Sequence, residues 1–223
     1  VGLRPGPIGV LNQGEGVDMP RPPILPTVDW RALFERGKDY ATWIREAENA
    51  ENAQQMEALR NAQRVPTKII EFLRAVPRPV HVIAIAEDWC GDVVRHAPVL
   101  ARLAEICPNL RVRFVKREDS PETFARFLTN GGEAIPKFVF LSADFVECGN
   151  WGPMPDACRE YIARGKACGD VGAARQLVGA AYEADKDRTV VVSELARLID
   201  EDPFADFNRQ RTEPEASVDS DHY

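Results

Sequence analysis

Short apolar runs in the central part of the chain alternate with amphipathic stretches, which is the pattern of strands separated by helices. Residues 79–86 are β-branched and almost entirely apolar, as in a strand that is buried on both faces. Residues 110–116 alternate apolar and polar side chains and predict a second strand, and 137–141 and 145–149 predict a hairpin. Helices are predicted between and after these strands, over residues 90–107, 120–129 (with Ser120 as its cap) and 156–164. This order indicates an α/β fold with a central mixed sheet and helices on both faces.

Further amphipathic segments flank this central unit. Before it, apolar spacing and start signals predict three helices, the first capped by Asp29, over residues 30–48, 49–63 and 66–76. After it, the same criteria predict two C-terminal helices, over residues 171–184 and 191–200. Because the apolar faces of the first three helices need a partner, we interpret them as an N-terminal helical extension that packs on the central unit.

The two ends of the chain differ from the rest in composition. Residues 1–26 hold six prolines and five glycines, too many for a regular ladder, and we predict that they are disordered. Residues 201–223 hold seven acidic residues against two arginines, and this tail, also predicted to be disordered, accounts for most of the net charge of -7. The predicted organisation is a disordered segment (1–26), a helical extension (27–76), the α/β domain (77–167), C-terminal helices (168–200) and an acidic tail (201–223).

Composition and charge exclude several classes of partner. No apolar run approaches the ~20 residues that a membrane helix needs. The first ten residues lack the continuous apolar core of a signal peptide. Basic residues form no stripe of the kind that nucleic-acid binders use. We therefore expect neither a nucleic acid nor a membrane as partner.

The cysteines are odd in number, irregularly spaced and without a C-x-x-C pair, so they predict neither a disulfide framework nor a zinc site. They are Cys90, Cys107, Cys148, Cys158 and Cys168. The histidines show no metal-ligand spacing, and we expect no metal or other cofactor. Free thiols favour a reducing compartment, which points to the cytoplasm. Cys107 lies on the apolar stripe of its helix and is predicted to be a core residue.

The segment EDWCGDVVRHAP carries the candidate chemistry. It places Cys90 at the start of a predicted helix, where free backbone N–H groups and the helix dipole favour a thiolate. Pro98 follows inside the same helix. Further along, a glycine-rich loop ends in Ile135-Pro136 directly before a strand, and this bond is a candidate for cis geometry.

The charges around this cysteine act in opposite directions. Asp92 either stabilises the helix start or raises the pKa of the neighbouring thiol. Arg95 and His96 would lower that pKa, although Arg95 is equally a partner for Asp92. The net direction of the shift stays open at this point.

In this order, the elements and residues of the central unit resemble thioredoxin over about residues 78–167. The anchors of the resemblance are Trp89, Cys90, Gly91, Pro98, Lys116, Ile135, Pro136 and Gly149. More narrowly, EDWCGD, LTNGGEAIPK and NWGPMP resemble a bacterial thioredoxin-like family with a W-C-G-D motif, no second cysteine and a helical N-terminal extension. The resemblance implies that Cys90 attacks a disulfide and that Ile135-Pro136, with a cis proline, binds the substrate backbone.

Two departures from thioredoxin concern its chemistry. Val93 stands where the resemblance implies a resolving cysteine, and Ala84 stands where thioredoxins have a buried aspartate that assists proton transfer. The dithiol reductase cycle is therefore not expected from this chain alone. The candidate catalytic residue is Cys90, and the candidate substrate-binding residues are Trp89, Gly91, Asp92, Ile135, Pro136 and Trp151. For the two tryptophans, packing is the alternative interpretation.

Three functions are compatible with these residues. The first is monothiol thiol–disulfide exchange, in which Cys90 forms a mixed disulfide with a protein or with a small thiol such as glutathione, and an external thiol resolves it. The second is a redox-inactive module that binds a protein partner, as Val93 and Ala84 suggest. The third resembles monothiol glutaredoxins, which hold an iron–sulfur cluster, but only the Cys-Gly pair supports it. The first is the function that we expect, and the residues leave open whether the protein is an enzyme.

Overall fold

A mixed four-stranded sheet forms the centre of the computed structural model, which describes residues 25, 27–119, 121–129 and 131–200. Its strands are β1 (Val80–Ile85), β2 (Leu110–Val115), β3 (Lys137–Leu141) and β4 (Glu147–Trp151). They lie in the order β2-β1-β3-β4. The pair β1–β2 is parallel, whereas β1–β3 and β3–β4 are antiparallel. The predictions made for the Pro- and Gly-rich segment (Leu25 aside), for the acidic tail and for a Ser120 cap lie outside the described residues.

Helices surround this sheet. They are α1 (Trp30–Arg36), α2 (Tyr40–Arg45), α3 (Ala50–Ala62), α4 (Thr67–Ala75), α5 (Gly91–Ile106), α6 (Pro121–Ala125), α7 (Asp156–Cys168), α8 (Val171–Ala184) and α9 (Thr189–Asp200), with a short 3-10 turn at Arg117–Asp119. Within the described residues, no helix has the length and apolar character that crossing a membrane requires.

Both faces of the sheet are covered by helices. Successive residues of a strand point to opposite faces. On one face, Phe34 of α1 packs edge-on against His81 of β1, with ring centroids 4.9 Å apart. Ala84 points to the other face together with Trp151 of β4, whose ring lies 5.2 Å from that of His96 of α5. The predicted α/β fold, a mixed sheet with helices on both faces and helical extensions, is confirmed.

The prediction of a single helix over residues 30–48 is wrong, because the chain forms two helices with a break at Gly37. A Cβ on Gly37 would lie 2.7 Å from the Cβ of Arg113, so only glycine allows the chain to approach β2 this closely. Lys38 then pairs with Phe114 through two backbone hydrogen bonds of 2.9 and 2.7 Å. Asp39 starts α2 by accepting a hydrogen bond from the backbone N–H of Thr42 at 2.7 Å.

The hairpin strand β4 begins two residues later than predicted. Phe145 has a left-handed φ of 62°, which extends the turn beyond Ser-Ala-Asp. Within the turn, the Ser142 hydroxyl accepts hydrogen bonds from the backbone N–H groups of Asp144 and Val146, both at 3.2 Å. These side-chain bonds replace strand pairing until Glu147.

The C-terminal helix α9 shares one apolar core with the sheet and the helical extension. Val192 and Leu195 of α9 are fully buried in the same cluster as Met56 of α3. A buried hydrogen bond of 2.7 Å runs from the Arg188 side chain, ahead of α9, to Gln63 at the end of α3. This packing brings α8 and α9 against α5, the helix that begins beside Cys90.

Candidate functional site

Cys90 lies where the sequence places it, at the N-terminal end of α5. It is the N-cap residue, it is half-buried, and its thiol donates a hydrogen bond to the backbone carbonyl of Ile135 at 3.5 Å. The Ile135–Pro136 peptide bond is cis. Two segments that are forty-five residues apart in sequence therefore meet at one sulfur atom.

The loop before Cys90 is fixed to two neighbouring elements. The Glu87 carboxylate accepts a hydrogen bond of 2.8 Å from the backbone N–H of Arg117. The Asp88 carboxylate accepts one of 2.8 Å from the backbone N–H of Asn49, and the Asp88 carbonyl accepts one of 2.7 Å from the Asn52 side chain. These acidic residues are thus structural partners, and the helical extension holds the cysteine loop.

The electrostatic balance at Cys90 favours the protonated thiol. Burial is the largest influence and raises the pKa of Cys90 above its ordinary value. The backbone N–H groups of Val93 and Asp92 act against it, as expected at a helix N-terminus, while the charge of Asp92 raises the pKa further. The helix end therefore does not produce a low-pKa thiolate here.

The position three residues after Cys90 carries no second thiol. Val93 occupies the resolving position and is fully buried, as is Ala84 in the sheet. None of the five cysteines, all of which lie in the described part of the chain, forms a disulfide. Cys107, predicted to be a core residue, is buried, as is Cys158.

Trp89 and Gly91 frame the exposed side of the cysteine. The Trp89 side chain is 57% exposed. The guanidinium of Arg117 lies 5.9 Å from the centre of its ring and forms an ion pair of 3.5 Å with Glu133 in the loop before Ile135. A Cβ built on Gly91 meets no atom within 4 Å, so this position faces open space. These residues leave an open approach to Cys90 with an apolar, cation-flanked rim.

Asp92 faces the protein and is bonded to a residue that the sequence did not indicate. The hydroxyl of Tyr182, on α8, donates a hydrogen bond of 2.9 Å to the Asp92 carboxylate. Burial raises the pKa of Asp92, whereas the Tyr182 hydroxyl and the charge of Arg95 lower it. Arg95 donates its hydrogen bonds to the backbone carbonyls of Tyr182 and Asp185, at 3.1 and 2.8 Å. His96 is fully buried, and burial lowers its pKa to about 3, so it supplies no positive charge to the thiol.

Trp151, for which substrate binding and packing were the two interpretations, is a buried side chain and does not line a surface groove. Its side chain is 2% exposed and stacks on Phe138, with ring centroids 5.3 Å apart. Its indole N–H donates a hydrogen bond of 2.6 Å to Glu194 of α9. Helix α9 packs over this position and makes the tryptophan a core residue. No pattern in the local sequence indicates this contact.

A second loop supports the Ile135–Pro136 segment from behind. Gly152 has a φ of 114°, and a Cβ there would lie 2.1 Å from the carbonyl oxygen of Pro136. The Lys137 ammonium donates hydrogen bonds to the carbonyl of Gly152 at 2.8 Å and to the Thr129 hydroxyl at 3.1 Å. Burial lowers the pKa of Lys137 to about 8. Gly152 and Lys137 therefore hold the two loops together behind Cys90.

The described residues contain no cluster of three or more His, Cys, Asp or Glu side chains that could hold a metal ion. What the site offers is one half-buried thiol, a peptide carbonyl beside it and an exposed aromatic rim.

Two solved structures share this architecture. A crystal structure of a protein of unknown function from Pseudomonas aeruginosa has a TM-score of 0.61 at 18% sequence identity, covering 78% of this chain and 98% of that chain. An HIV epitope scaffold has a TM-score of 0.58 at 17% identity, with the same coverage of 78% and 98%. At such identities the likeness shows the fold and nothing about activity.

Among curated proteins, none matches this chain. A family model described as thioredoxin matches residues 37–169, which is more than half of the sequence. The matched range runs from the break after α1 to the glycine that ends α7, so α8 and α9 lie beyond it. It includes both segments that meet at the Cys90 sulfur. The chain belongs to the thioredoxin family.

Proposed function

We propose that the protein carries out monothiol thiol–disulfide exchange through Cys90. The observation that supports this proposal is the position of the Cys90 thiol, half-buried at the N-terminus of α5 and 3.5 Å from the Ile135 carbonyl. An extended peptide that approaches the open side meets Trp89, Arg117 and the loop before Pro136. Free cysteines fit a reducing compartment such as the cytoplasm.

The exchange proceeds in two steps. In the first step the Cys90 thiolate attacks one sulfur of a protein or peptide disulfide R–S–S–R′. The mixed disulfide Cys90–S–S–R forms as the S–S bond of the substrate breaks. R′ leaves as a thiolate, which takes up the proton that Cys90 lost. A low-molecular-weight thiol R″–SH of the glutathione class then attacks the R sulfur. R–S–S–R″ forms and Cys90 returns as a thiol. One disulfide is consumed and one is formed, so that the electrons balance.

The raised pKa of Cys90 sets the expected pH dependence. At neutral pH only a small fraction of Cys90 is thiolate, and this fraction rises about tenfold per pH unit below the pKa. Exchange through Cys90 is therefore expected to be slow at neutral pH and faster in mildly alkaline solution.

A glutathione-coupled assay with bis(2-hydroxyethyl) disulfide tests the proposal on the full chain. The wild type is expected to turn over, Cys90→Ser to lose all activity above background, and Cys168→Ser, which removes an exposed thiol on α7, to keep it. A wild type that shows no activity between pH 7 and 9, or a Cys90→Ser variant that retains it, contradicts the proposal.

A second candidate is a redox-inactive module that binds a protein partner at the same rim. The raised pKa of Cys90 and the 57% exposure of Trp89 favour it. Partner capture by immobilised protein separates the two functions. Retention of a partner by Cys90→Ser, with loss in Trp89→Ala, indicates the binding module, whereas full dependence on the thiol indicates exchange.

A further inference from the structure

Tyr182 of α8 is held by three side chains from a single turn of α5. Asp92, Arg95 and His96 have the i, i+3 and i+4 spacing of residues that share one helix face. Asp92 accepts the Tyr182 hydroxyl at 2.9 Å, and the Arg95 guanidinium lies 4.2 Å from the centre of the Tyr182 ring. The His96 ring meets the tyrosine ring edge-on at 5.5 Å. Together, these contacts fix the position of the Tyr182 hydroxyl.

The hydrogen bonds in this cluster have a defined direction. Since the Tyr182 hydroxyl gives its one proton to the Asp92 carboxylate, it must accept from the His96 Nε2 atom, which lies 3.1 Å away. His96 is then the neutral tautomer with its proton on Nε2, consistent with its pKa of about 3. Its Nδ1 atom is buried without a partner among the described residues. The hydrogen bonds therefore form a series, in which His96 donates to the Tyr182 hydroxyl and this hydroxyl donates to the Asp92 carboxylate.

Asp92, the last acceptor in this series of hydrogen bonds, lies beside the Cys90 thiol. Asp92 follows Cys90 by two residues in the first turn of α5, and its charge raises the pKa of the thiol. Other charged or titratable groups face Asp92 and its partners from α5, α7, α8, α9 and the loop before α9: Arg95, His96, Cys158, Lys166, Arg175, Tyr182, Asp185, Arg188 and Glu194. Arg95 counters Asp92 only in part, since its hydrogen bonds go to backbone carbonyls.

We propose that Tyr182 is a positioning residue: it fixes the Asp92 carboxylate in the first turn of α5 beside Cys90, where this negative charge adds to burial in keeping the cysteine in its thiol form. The C-terminal helix α8, which lies outside the matched family range, thus controls the reactivity of the site. This inference deepens the proposed function, because it concerns the same cysteine. Its test uses a chemical property of the thiol and does not depend on exchange activity.

The test is the rate of Cys90 alkylation by iodoacetamide between pH 6.5 and 10, followed by mass spectrometry on the Cys90 peptide of the full chain. Asp92→Asn keeps an acceptor for Tyr182 but removes the charge, and it is expected to lower the Cys90 pKa and to accelerate alkylation at pH 7.5 by about 3- to 10-fold. Tyr182→Phe releases the carboxylate toward solvent and is expected to accelerate it by about 2- to 3-fold. Tyr161→Phe, a tyrosine change on α7, is expected to match the wild type.

The double variant separates a positioning role from a general loss of stability. In the Asp92→Asn background, Tyr182→Phe is expected to have no further effect on the Cys90 pKa, because there is no charge left to position. The inference is overturned if Asp92→Asn leaves the pKa unchanged or raises it, or if Tyr182→Phe alkylates at the rate of the wild type. If exchange activity is absent while these alkylation shifts are present, the proposed function fails and the inference stands.

Discussion

Replacing Gly152 by alanine tests how closely the two loops behind Cys90 are packed. The Gly152 backbone has a φ of 114°, a conformation that is essentially restricted to glycine. A Cβ at this position would also lie 2.1 Å from the carbonyl oxygen of Pro136 and 3.1 Å from its carbonyl carbon. Both contacts are with backbone, so the loop that carries Ile135 must move to admit the new atom.

The two effects set the expected magnitude. Holding a non-glycine residue in this backbone region costs about 1–3 kcal/mol. Overpacking that displaces backbone costs about 1–3 kcal/mol more. We therefore expect Gly152→Ala to lower the free energy of unfolding by about 2–6 kcal/mol. For a protein of this size, that corresponds to a fall in Tm of about 10 °C.

Urea unfolding followed by circular dichroism measures the change. The matched control is Gly179→Ala in α8, where an added Cβ meets nothing within 4 Å. In a helix interior this substitution is expected to stabilise the protein by about 0.5–1 kcal/mol. A loss below about 1 kcal/mol in Gly152→Ala would refute the close packing of the two loops.

Two pH dependences follow from buried side chains. The pKa of His96 is about 3 in the folded protein, below its unfolded value of 6.5. Because the unfolded state therefore takes up a proton first as the pH falls, the free energy of unfolding should drop by about 2 kcal/mol between pH 7 and 5. His96→Gln should flatten this drop in urea titrations, and an equally steep drop in the variant contradicts the assignment. The pKa of Lys137 is about 8, below its unfolded value of 10.5, so its contribution to stability should rise by about 2 kcal/mol from pH 8 to 10. The measurement is the stability difference between wild type and Lys137→Met at each pH, and a difference independent of pH would show that this lysine is not desolvated.

The predicted fold depended on patterns that are local in sequence. The apolar run of β1 and the alternation in β2 specify strands directly, and the helix that follows Cys90 begins where its sequence indicates. The first helix was predicted too long because its break depends on the approach of Gly37 to Arg113, a contact between distant segments. Asp39 was a visible start signal, but the periodic apolar positions on either side of it masked the break.

The candidate site was predictable only in part for the same reason. The meeting of Cys90 with Ile135 followed from the order of the elements. The burial of Trp151 depends on α9, and the partner of Asp92 is a tyrosine ninety residues further along the chain. Nothing in the local sequence of α8 marks Tyr182 as part of this site.

The sequence by itself determined the order of strands and helices and the single thiol at the tip of a helix, because helix and strand periodicity and helix-start chemistry are written into neighbouring residues. Only the tertiary structure decided the charge state of that thiol. Burial outweighs the helix N-terminus at Cys90, and the direction of the Asp92 side chain is set by Tyr182. Desolvation and contacts between distant helices depend on how the whole chain packs, so the character of the site belongs to the fold rather than to its motif.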